Sequence, residues 1–258
     1  MDQSESMRGS RLYRRQALAA VAGAAGWLMA GTAGAQTTPR SEAELARERQ
    51  LRDDFPNLAR YAEDNARIVA AGIRPTIVFM GDSITEGWNR LRPEFFTPRR
   101  ICRGISGQTT PQMVLRMMPD VIALRPMAVH IMAGTNDIAG NTGPMTLAQS
   151  RDNIAAMAIL AKAQGVRVLI GSVPPAAAFR WRPEKRPAND IVALNAMLRA
   201  LSRRLGADWI DYHAALATPE GGMREGLARD GVHPLVAGYE VMERVLAPHL
   251  ARVERGRR

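Results

Sequence analysis

Five short apolar runs alternate with longer stretches of helical periodicity along this chain. Most of the runs are continuously hydrophobic, which is typical of strands buried on both faces of a parallel sheet. The runs lie at 76–80, 100–103, 127–133, 166–173 and 207–211. The helical stretches lie at 41–52, 58–71, 111–123, 146–164, 188–205 and 235–253. This alternation predicts one α/β domain in which helices cover both faces of a five-stranded parallel sheet.

The first 35 residues contain the three regions of an export signal in the expected order. Arg14 and Arg15 end a basic segment, residues 17–30 are apolar, and Ala-Gly-Ala at 33–35 suits cleavage. The paired arginines partly match a twin-arginine signal, and the general secretory route stays open beside it. The alternative is an ordinary N-terminal helix. We therefore expect an exported protein, periplasmic or secreted.

The remainder of the chain divides into three parts. Residues 36–54 are interpreted as a linker and an N-terminal helix, residues 55–252 as the main domain, and residues 253–258 as a basic tail. The main domain is long enough to bury a complete core.

Composition narrows the classes of partner. The 258-residue chain has a formal net charge of +10, but its cations are scattered and accompany no recognition motif, so we expect no nucleic-acid partner. The apolar segment 17–30 is shorter than the roughly 20 residues that span a bilayer, so no stable membrane insertion is expected. The single cysteine, Cys102, excludes an internal disulfide and is expected to be a buried, unreactive thiol.

Four short polar segments follow the predicted strands. Ser83 comes after the first strand, Gly107 after the second, Asn136 after the third, and His233 in the long segment after the fifth. Because parallel strands present their carboxyl ends at one edge of the sheet, we expect these segments to converge there. Together their residue types suffice for acyl transfer through a serine.

Ser83 is the candidate nucleophile, and His233 is the candidate base. A serine hydroxyl needs a base at neutral pH, and Asp230 lies three residues before His233 in a glycine-containing turn. That carboxylate can accept a hydrogen bond from Nδ1 and fix the tautomer of the ring. The alternative for Ser83 is a helix N-cap in a capping box with Glu86. The alternative for Asp230 and His233 is a structural turn contact.

The other three histidines are weaker candidates. His130 lies inside the third strand and is interpreted as a core residue. His213 ends the fifth strand, and no neighbour in the sequence orients it towards Ser83. His249 is expected on the surface of the last helix.

The backbone N–H groups of Ser83 and Gly107 and the side-chain amide of Asn136 are candidate donors to an oxyanion. Taken singly, Gly107 also fits a turn glycine, and Asn136 fits an Asx turn. The sequence has neither the His and Cys spacing of a metal site nor a glycine-rich phosphate loop. We therefore expect no metal and no cofactor.

The four segments resemble the sequence blocks of the SGNH, or GDSL-like, hydrolase superfamily. The matching segments are Gly81-Asp82-Ser83-Ile84, Gly104-Ile105-Ser106-Gly107, Gly134-Thr135-Asn136-Asp137 and Asp230-Gly231-Val232-His233. The likeness extends over about residues 55–252. Within it, residues 78–88 are most similar to the platelet-activating-factor-acetylhydrolase-like branch.

The resemblance implies a three-layer α/β/α flavodoxin-like domain that hydrolyses esters or thioesters without a cofactor. It implies Ser83 as the nucleophile, His233 as the base and Asp230 as the residue that orients the base. It also implies Gly107 and Asn136 as oxyanion donors beside the Ser83 amide.

A long loop after the fourth strand contains Arg180, Trp181 and Arg182, and it leaves the same edge of the sheet. These side chains suit sugar rings, carboxylates or phosphates, although a solvated connection is the alternative. We expect an exported serine esterase that removes small acyl groups, with O-acetyl groups on carbohydrate as the expected substrate. A lysophospholipase or thioesterase, an O-acyltransferase and an inactive binding module are the alternatives.

Overall fold

The carboxyl ends of five parallel strands form one edge of the central sheet. The computed structural model describes residues 41–256, so the predicted export signal at 1–35 lies outside the described residues. The strands are β1 Ile77–Gly81, β2 Arg100–Gly104, β3 Ala128–Met132, β4 Arg167–Gly171 and β5 Asp208–Ile210. Their order is β2-β1-β3-β4-β5, and every pair is parallel. This is the flavodoxin-like order, so the predicted fold class is confirmed.

Nine α-helices connect or flank these strands within the described residues. They are α1 Glu42–Asp53, α2 Ala62–Ala70, α3 Ser83–Leu91, α4 Thr110–Asp120, α5 Thr135–Ala139, α6 Leu147–Ala163, α7 Ala188–Leu205, α8 Tyr212–Leu216 and α9 Val236–Arg255. Short 3₁₀ turns lie at Leu58–Tyr61, Pro93–Phe95 and Ile122–Leu124. The helix expected at 58–71 is therefore a 3₁₀ turn followed by α2. The last helix ends at Arg255 and includes residues 253–255 of the expected tail.

Alternate side chains of β1 enter two separate cores. Val78 and Met80 pack into one core with apolar residues of α2, α4, α6 and α7. Ile77 and Phe79 pack into the other core with apolar residues of α3, α8 and α9. All four side chains are fully buried, and each contributes roughly 1.5–3 kcal/mol to folding. The sheet is thus the middle of three layers.

Close packing at the end of β1 brings the loops after β1, β2 and β3 together. Gly81 pairs with Gly104 of β2 on one side and with Met132 of β3 on the other. A Cβ atom at Gly81 would overlap Thr85, and one at Gly104 would overlap the backbone of α3. The two glycines therefore let the first turn of α3 rest directly on the strand ends.

Cys102 is buried between β2 and α3, as the sequence predicts. Its Sγ donates to the Thr85 carbonyl at 3.5 Å and accepts from the Gly104 N–H at 3.4 Å. Burial raises the pKa of this thiol to about 11. The thiolate, which is the reactive form, is therefore scarce at neutral pH.

Among the described residues, no helix is both long enough and apolar enough to cross a bilayer.

Candidate active site

Ser83 begins α3, but Asp82 caps the helix. The Asp82 carboxylate accepts from the Ile84 N–H at 2.9 Å, and the Glu86 carboxylate accepts from the Ser106 N–H at 3.1 Å. The alternative interpretation of Ser83 as the N-cap of a capping box with Glu86 is therefore wrong. Because another side chain caps the helix, the Ser83 hydroxyl is free to contact the histidine described next.

Ser83, His233 and Asp230 form one line of hydrogen bonds. The Ser83 Oγ lies 2.9 Å from His233 Nε2, and His233 Nδ1 lies 2.8 Å from Asp230 Oδ2. The second oxygen of Asp230 accepts from the backbone N–H groups of His233 at 2.8 Å and Val232 at 3.1 Å. Gly231 has a φ of 81°, which allows the tight turn that brings the carboxylate back to the ring.

The Asp230 carboxylate is held in its ionised form. Partial burial raises its pKa, but the hydrogen bonds from the backbone and ring of His233 outweigh burial, and the net pKa is lowered. An ionised carboxylate at Nδ1 keeps the proton on that nitrogen and leaves Nε2 as the acceptor for the Ser83 hydroxyl.

Gly107 and Asn136 lie together at the ends of β2 and β3. Asn141 joins them, because its Nδ2 donates to Asn136 Oδ1 at 2.8 Å and to the Gly107 carbonyl at 3.3 Å. Asn136 Nδ2 donates one hydrogen to the Gln108 carbonyl at 3.0 Å, which leaves its second hydrogen for another acceptor. Gly107 has a φ of 76°, a conformation that favours glycine.

Ser83 supplies a further donor, because it is the first residue of α3. The N–H groups of a first helical turn have no partner inside the helix. The three predicted donors are therefore the N–H of Ser83 at a helix N-terminus, the N–H of Gly107 in a turn, and the side-chain amide of Asn136.

Comparison with known proteins places the chain in a family. The model of the GDSL-like lipase/acylhydrolase family matches residues 79–241, which is more than half of the chain. The chain belongs to the GDSL-like lipase/acylhydrolase family. It is a carboxylic ester hydrolase. The predicted superfamily is thereby confirmed.

Three proteins illustrate the range of this acylhydrolase's relatives. A GDSL-like lipase from Bacteroides thetaiotaomicron is 41% identical, with a TM-score of 0.72, covering 77% of this chain and 99% of that protein. Esterase TesA of Pseudomonas aeruginosa is 28% identical over 181 residues, which are 63% of this chain and 81% of TesA. Axe2, an acetylxylan esterase from Geobacillus stearothermophilus, shares the fold at 21% identity and a TM-score of 0.53, covering 69% and 95% of the two chains.

The remaining histidines of the acylhydrolase lie away from Ser83. His130 is fully buried in β3, where burial lowers its pKa to about 3, and its Nε2 contacts the Tyr212 hydroxyl at 2.9 Å. His213 lies in α8 rather than at the end of a strand. His249 is half-buried rather than on the surface, because its Nδ1 lies 3.4 Å from Asp208.

The loop after β4 reaches His233 through Trp181. The Trp181 ring centroid lies 6.0 Å from that of His233, and the ring stacks on the buried Phe179 at 4.9 Å. The Arg182 Nε donates to the Ala139 carbonyl at 3.2 Å and so ties the loop to α5. Arg180 is exposed. Of the three predicted substrate-contact residues, Trp181 is the one whose contact with the site is direct.

Within the described part of the chain, no group of three or more His, Cys, Asp or Glu side chains is arranged to hold a metal ion.

Two residues that contact the predicted oxyanion donors or their loops are absent from the sequence prediction. One is Asn141, whose Oδ1 accepts from the Trp181 Nε1 at 3.2 Å while its Nδ2 orients Asn136. The other is Gln108, whose side chain accepts from the Arg116 Nε at 2.8 Å and donates to the Pro56 carbonyl at 2.7 Å. Gln108 and Asn141 lie next to the second and third motifs in the sequence, and that position is the signal that could have identified them. Polar residues such as these are equally typical of loops without a function.

We expect Asn141→Ala to lower kcat by about 10–100-fold and to change KM little, since the Asn136 amide loses the contact that sets its orientation. Steady-state kinetics with p-nitrophenyl acetate would measure the separate effects on kcat and KM. Asn153→Ala is the matched control, because the Asn153 amide donates to the Thr110 hydroxyl at 3.0 Å and not to Asn136 or Gly107. A higher KM at unchanged kcat would contradict this positioning role.

Asp82 carries a pH-dependent cost to folding. It is 2% exposed, and burial raises its pKa to about 6 although the Ile84 N–H and His233 act in the opposite direction. A folded-state pKa above the unfolded value of about 3.9 means that ionisation destabilises the folded state. The cost is absent below about pH 4 and complete above about pH 6.

We therefore expect Asp82→Asn to raise the free energy of unfolding at pH 8 by up to about 3 kcal/mol, and to leave it unchanged at pH 4. Asparagine also serves as an N-cap, so the helix start is preserved. Urea denaturation at the two pH values is the measurement. Asp211→Asn makes the same change at the N-cap of α8, which is less buried than Asp82, and is the control. An equal effect of Asp82→Asn at both pH values would refute the prediction.

Proposed function

We propose that this acylhydrolase is a serine esterase that removes small acyl groups, with O-acetyl groups on carbohydrate as its substrate class. The observation that carries the proposal is the hydrogen-bonded line from Ser83 through His233 to Asp230, with separations of 2.9 and 2.8 Å. Hydroxyl, imidazole and carboxylate in this order supply a nucleophile, a general base and a residue that orients the base.

In the proposed reaction, the Ser83 Oγ attacks the ester carbonyl carbon while its proton moves to His233 Nε2. The carbonyl oxygen becomes an oxyanion, which accepts hydrogen bonds from the Ser83 and Gly107 N–H groups and from the Asn136 amide. The bond to the alcohol then breaks, and the alcohol oxygen takes the proton from Nε2. The acyl group is then bonded to Ser83 Oγ. Water gives a proton to His233 Nε2 and attacks the acyl carbon, the bond from that carbon to Oγ breaks, and Oγ takes the proton back from Nε2 as the acid leaves.

The size of the cavity beside the proposed nucleophile favours small ester groups. The cavity touching both Ser83 and His233 has a volume of about 200 Å³. A long acyl chain needs a wide apolar trough beside Ser83, and the cavity at Ser83 is too small to provide one. A larger groove of about 870 Å³ runs along edge strand β2, but none of the predicted site residues lines it.

Two observations favour a carbohydrate on the alcohol side of the ester. Trp181 is 37% exposed beside His233, and an exposed aromatic ring at a binding site suits the apolar face of a sugar. The fold is shared with a protein named as an acetylxylan esterase.

Acyl-chain length and acceptor preference test this function directly. The rate of hydrolysis should be highest for acetyl esters and should fall steeply for butyryl, long-chain and thioester substrates. A preference for long chains or thioesters would replace the proposal with a lysophospholipase or thioesterase. Transfer to an excess of sugar that outpaces hydrolysis would replace it with an O-acyltransferase.

We also propose that the acylhydrolase is exported. The composition of residues 1–35 motivates this proposal, because a basic segment, an apolar run and a small-residue site occur in signal-peptide order. Expression in a Gram-negative host followed by fractionation and N-terminal sequencing tests it. Periplasmic protein that begins at Gln36 is the expected result, and cytoplasmic protein that keeps residues 1–35 would overturn it.

A further inference from the structure

A small cavity opens beside Ser83 on the side away from the oxyanion donors. Its walls come from α3 and from the segment that carries His233 into α9. The lining residues are Ser83, Gly87, Arg90, Leu91, Arg229, His233, Pro234, Leu235 and Tyr239. Neither Gly107 nor Asn136 lines it. The cavity therefore lies on the histidine side of the nucleophile.

The histidine side is where the alcohol part of an ester must sit. When the acyl–oxygen bond breaks, the departing oxygen takes its proton from His233 Nε2, so that oxygen lies within hydrogen-bond reach of the imidazole. A group attached to the oxygen extends into the space that His233 bounds. Since His233 is part of the cavity wall, this cavity fits the leaving alcohol better than the acyl group.

Two arginines line this cavity without a strong counter-ion. Among the described residues, no carboxylate lies within ion-pair distance of Arg90, and the nearest to Arg229 is Asp230, at 4.0 Å. That carboxylate is already bonded to the His233 ring and backbone. The Arg229 side chain is 66% exposed, so both guanidinium groups are available to a bound molecule.

The remaining surface of the cavity is uncharged. Leu91, Pro234 and Leu235 are apolar, and the Tyr239 hydroxyl is used by the Ile84 carbonyl at 2.8 Å. Burial raises the pKa of Tyr239 strongly, and the positive charges of Arg90 and Arg229 act in the opposite direction. Both arginines line the cavity together with Tyr239, so their charges act on a molecule bound there.

We propose that Arg90 and Arg229 form a subsite for a carboxylate on the alcohol part of the ester, so that the preferred substrate is an acyl ester of an acidic sugar. The subsite rests on the proposed function, since it assigns the leaving group of that reaction. A guanidinium pairs with a carboxylate through two parallel N–H donors, which fixes the orientation as well as the charge of the ligand.

A pair of esters that differ only in charge tests the subsite. The carboxylate 4-acetoxybenzoate and its neutral counterpart 4-acetoxybenzamide carry the same acetyl group on similar rings. At pH 8 and low salt, we expect the ratio of their kcat/KM values, carboxylate over amide, to fall about tenfold in Arg90→Gln/Arg229→Gln relative to the wild type. In 0.5 M NaCl the wild-type ratio should also fall, because exposed charges are screened.

Arg244→Gln/Arg255→Gln is the matched control. Arg244 and Arg255 are exposed arginines of α9 that do not line the cavity. The same loss of two positive charges should leave the ratio unchanged there. An equal fall in the control and in the double variant would overturn the subsite and would indicate attraction by the overall positive charge.

Binding to the Ser83→Ala protein separates the subsite from the reaction. Calorimetry should show that this variant binds 4-acetoxybenzoate about tenfold more tightly than 4-acetoxybenzamide, and that the advantage disappears when Arg90 and Arg229 are also replaced. Equal binding of the two esters by Ser83→Ala would overturn the subsite even if the wild type hydrolyses both. Selective binding in a wild type that hydrolyses neither ester would support the subsite while overturning the esterase function.

Discussion

Ser83→Ala is expected to reduce kcat for p-nitrophenyl acetate by at least about 10⁴-fold, because Ser83 carries the hydroxyl that contacts His233 Nε2 within the described residues. Ser83 Oγ lies 2.9 Å from that nitrogen and is not needed to cap α3, which Asp82 does. Loss of the hydroxyl therefore removes the proposed nucleophile without removing a helix cap. Thermal melting followed by circular dichroism should show an unchanged fold.

Ser202→Ala is the matched control for this substitution. Its hydroxyl donates to the Arg199 carbonyl at 2.8 Å within α7, so a comparable deletion is made far from the reaction. A fluorophosphonate probe should label the wild type and Ser202→Ala at Ser83, and it should not label Ser83→Ala. Residual activity within tenfold of the wild type, with the same substrate profile, would exclude Ser83 as the nucleophile.

Asp230→Asn is expected to have the second-largest effect, a reduction of kcat at neutral pH by about 10³–10⁴-fold. The Asp230 Oδ2 accepts from His233 Nδ1 at 2.8 Å, and an amide NH₂ in that place would present a donor. The ring would then carry its proton on Nε2, where it can no longer accept the proton of Ser83. The asparagine oxygen can still accept from the Val232 and His233 N–H groups, so the turn should persist.

The expected signature of Asp230→Asn is a loss in kcat with a native melting curve. Asp211→Asn is its control, because it makes the same change at the N-cap of α8 outside the site. A loss of less than about tenfold in kcat would contradict the orienting role, since a carboxylate that merely shapes a turn is replaced well by an amide.

The strands and the four motifs were predictable because each depends on short-range sequence signals. Continuous apolar runs are typical of strands buried on both faces, and the rule that parallel strands end at one edge then brought Ser83 and His233 to the same region. Ser83 and His233 are 150 residues apart in the sequence, but the topology of the sheet brings both to the same edge.

The short helices and the cap of α3 were harder to predict. α5 and α8 have five residues each, too few for an amphipathic period to appear. Asp82 and Ser83 are both good capping residues in adjacent positions, and the choice between them depends on where β1 ends. The residue at which β1 ends is set by the packing of Gly81 and Gly104 against α3. This packing is a tertiary contact, which the local sequence does not reveal.

The support beneath the predicted oxyanion donors depends on burial that a sequence does not show. Arg116 and Asp120 are four residues apart in α4, a spacing that is usually interpreted as an exposed helical pair. In the structure both are fully buried, 2.5 Å apart, and Arg116 also holds Gln108 below Asn136. Breaking one partner of such a pair leaves an uncompensated buried charge.

The position of Cys102 makes the chain's lone thiol a reporter of how α3 packs on the sheet. Its Sγ lies against the Thr85 carbonyl of α3, and the residue is 9% exposed along the groove beside β2, so its access to a thiol reagent depends on the contact between α3 and β2. A ligand that binds at Ser83 and tightens this contact should slow the labelling of Cys102. The ratio of the labelling rates with and without the ligand then measures how firmly the ligand holds the helix that carries Ser83.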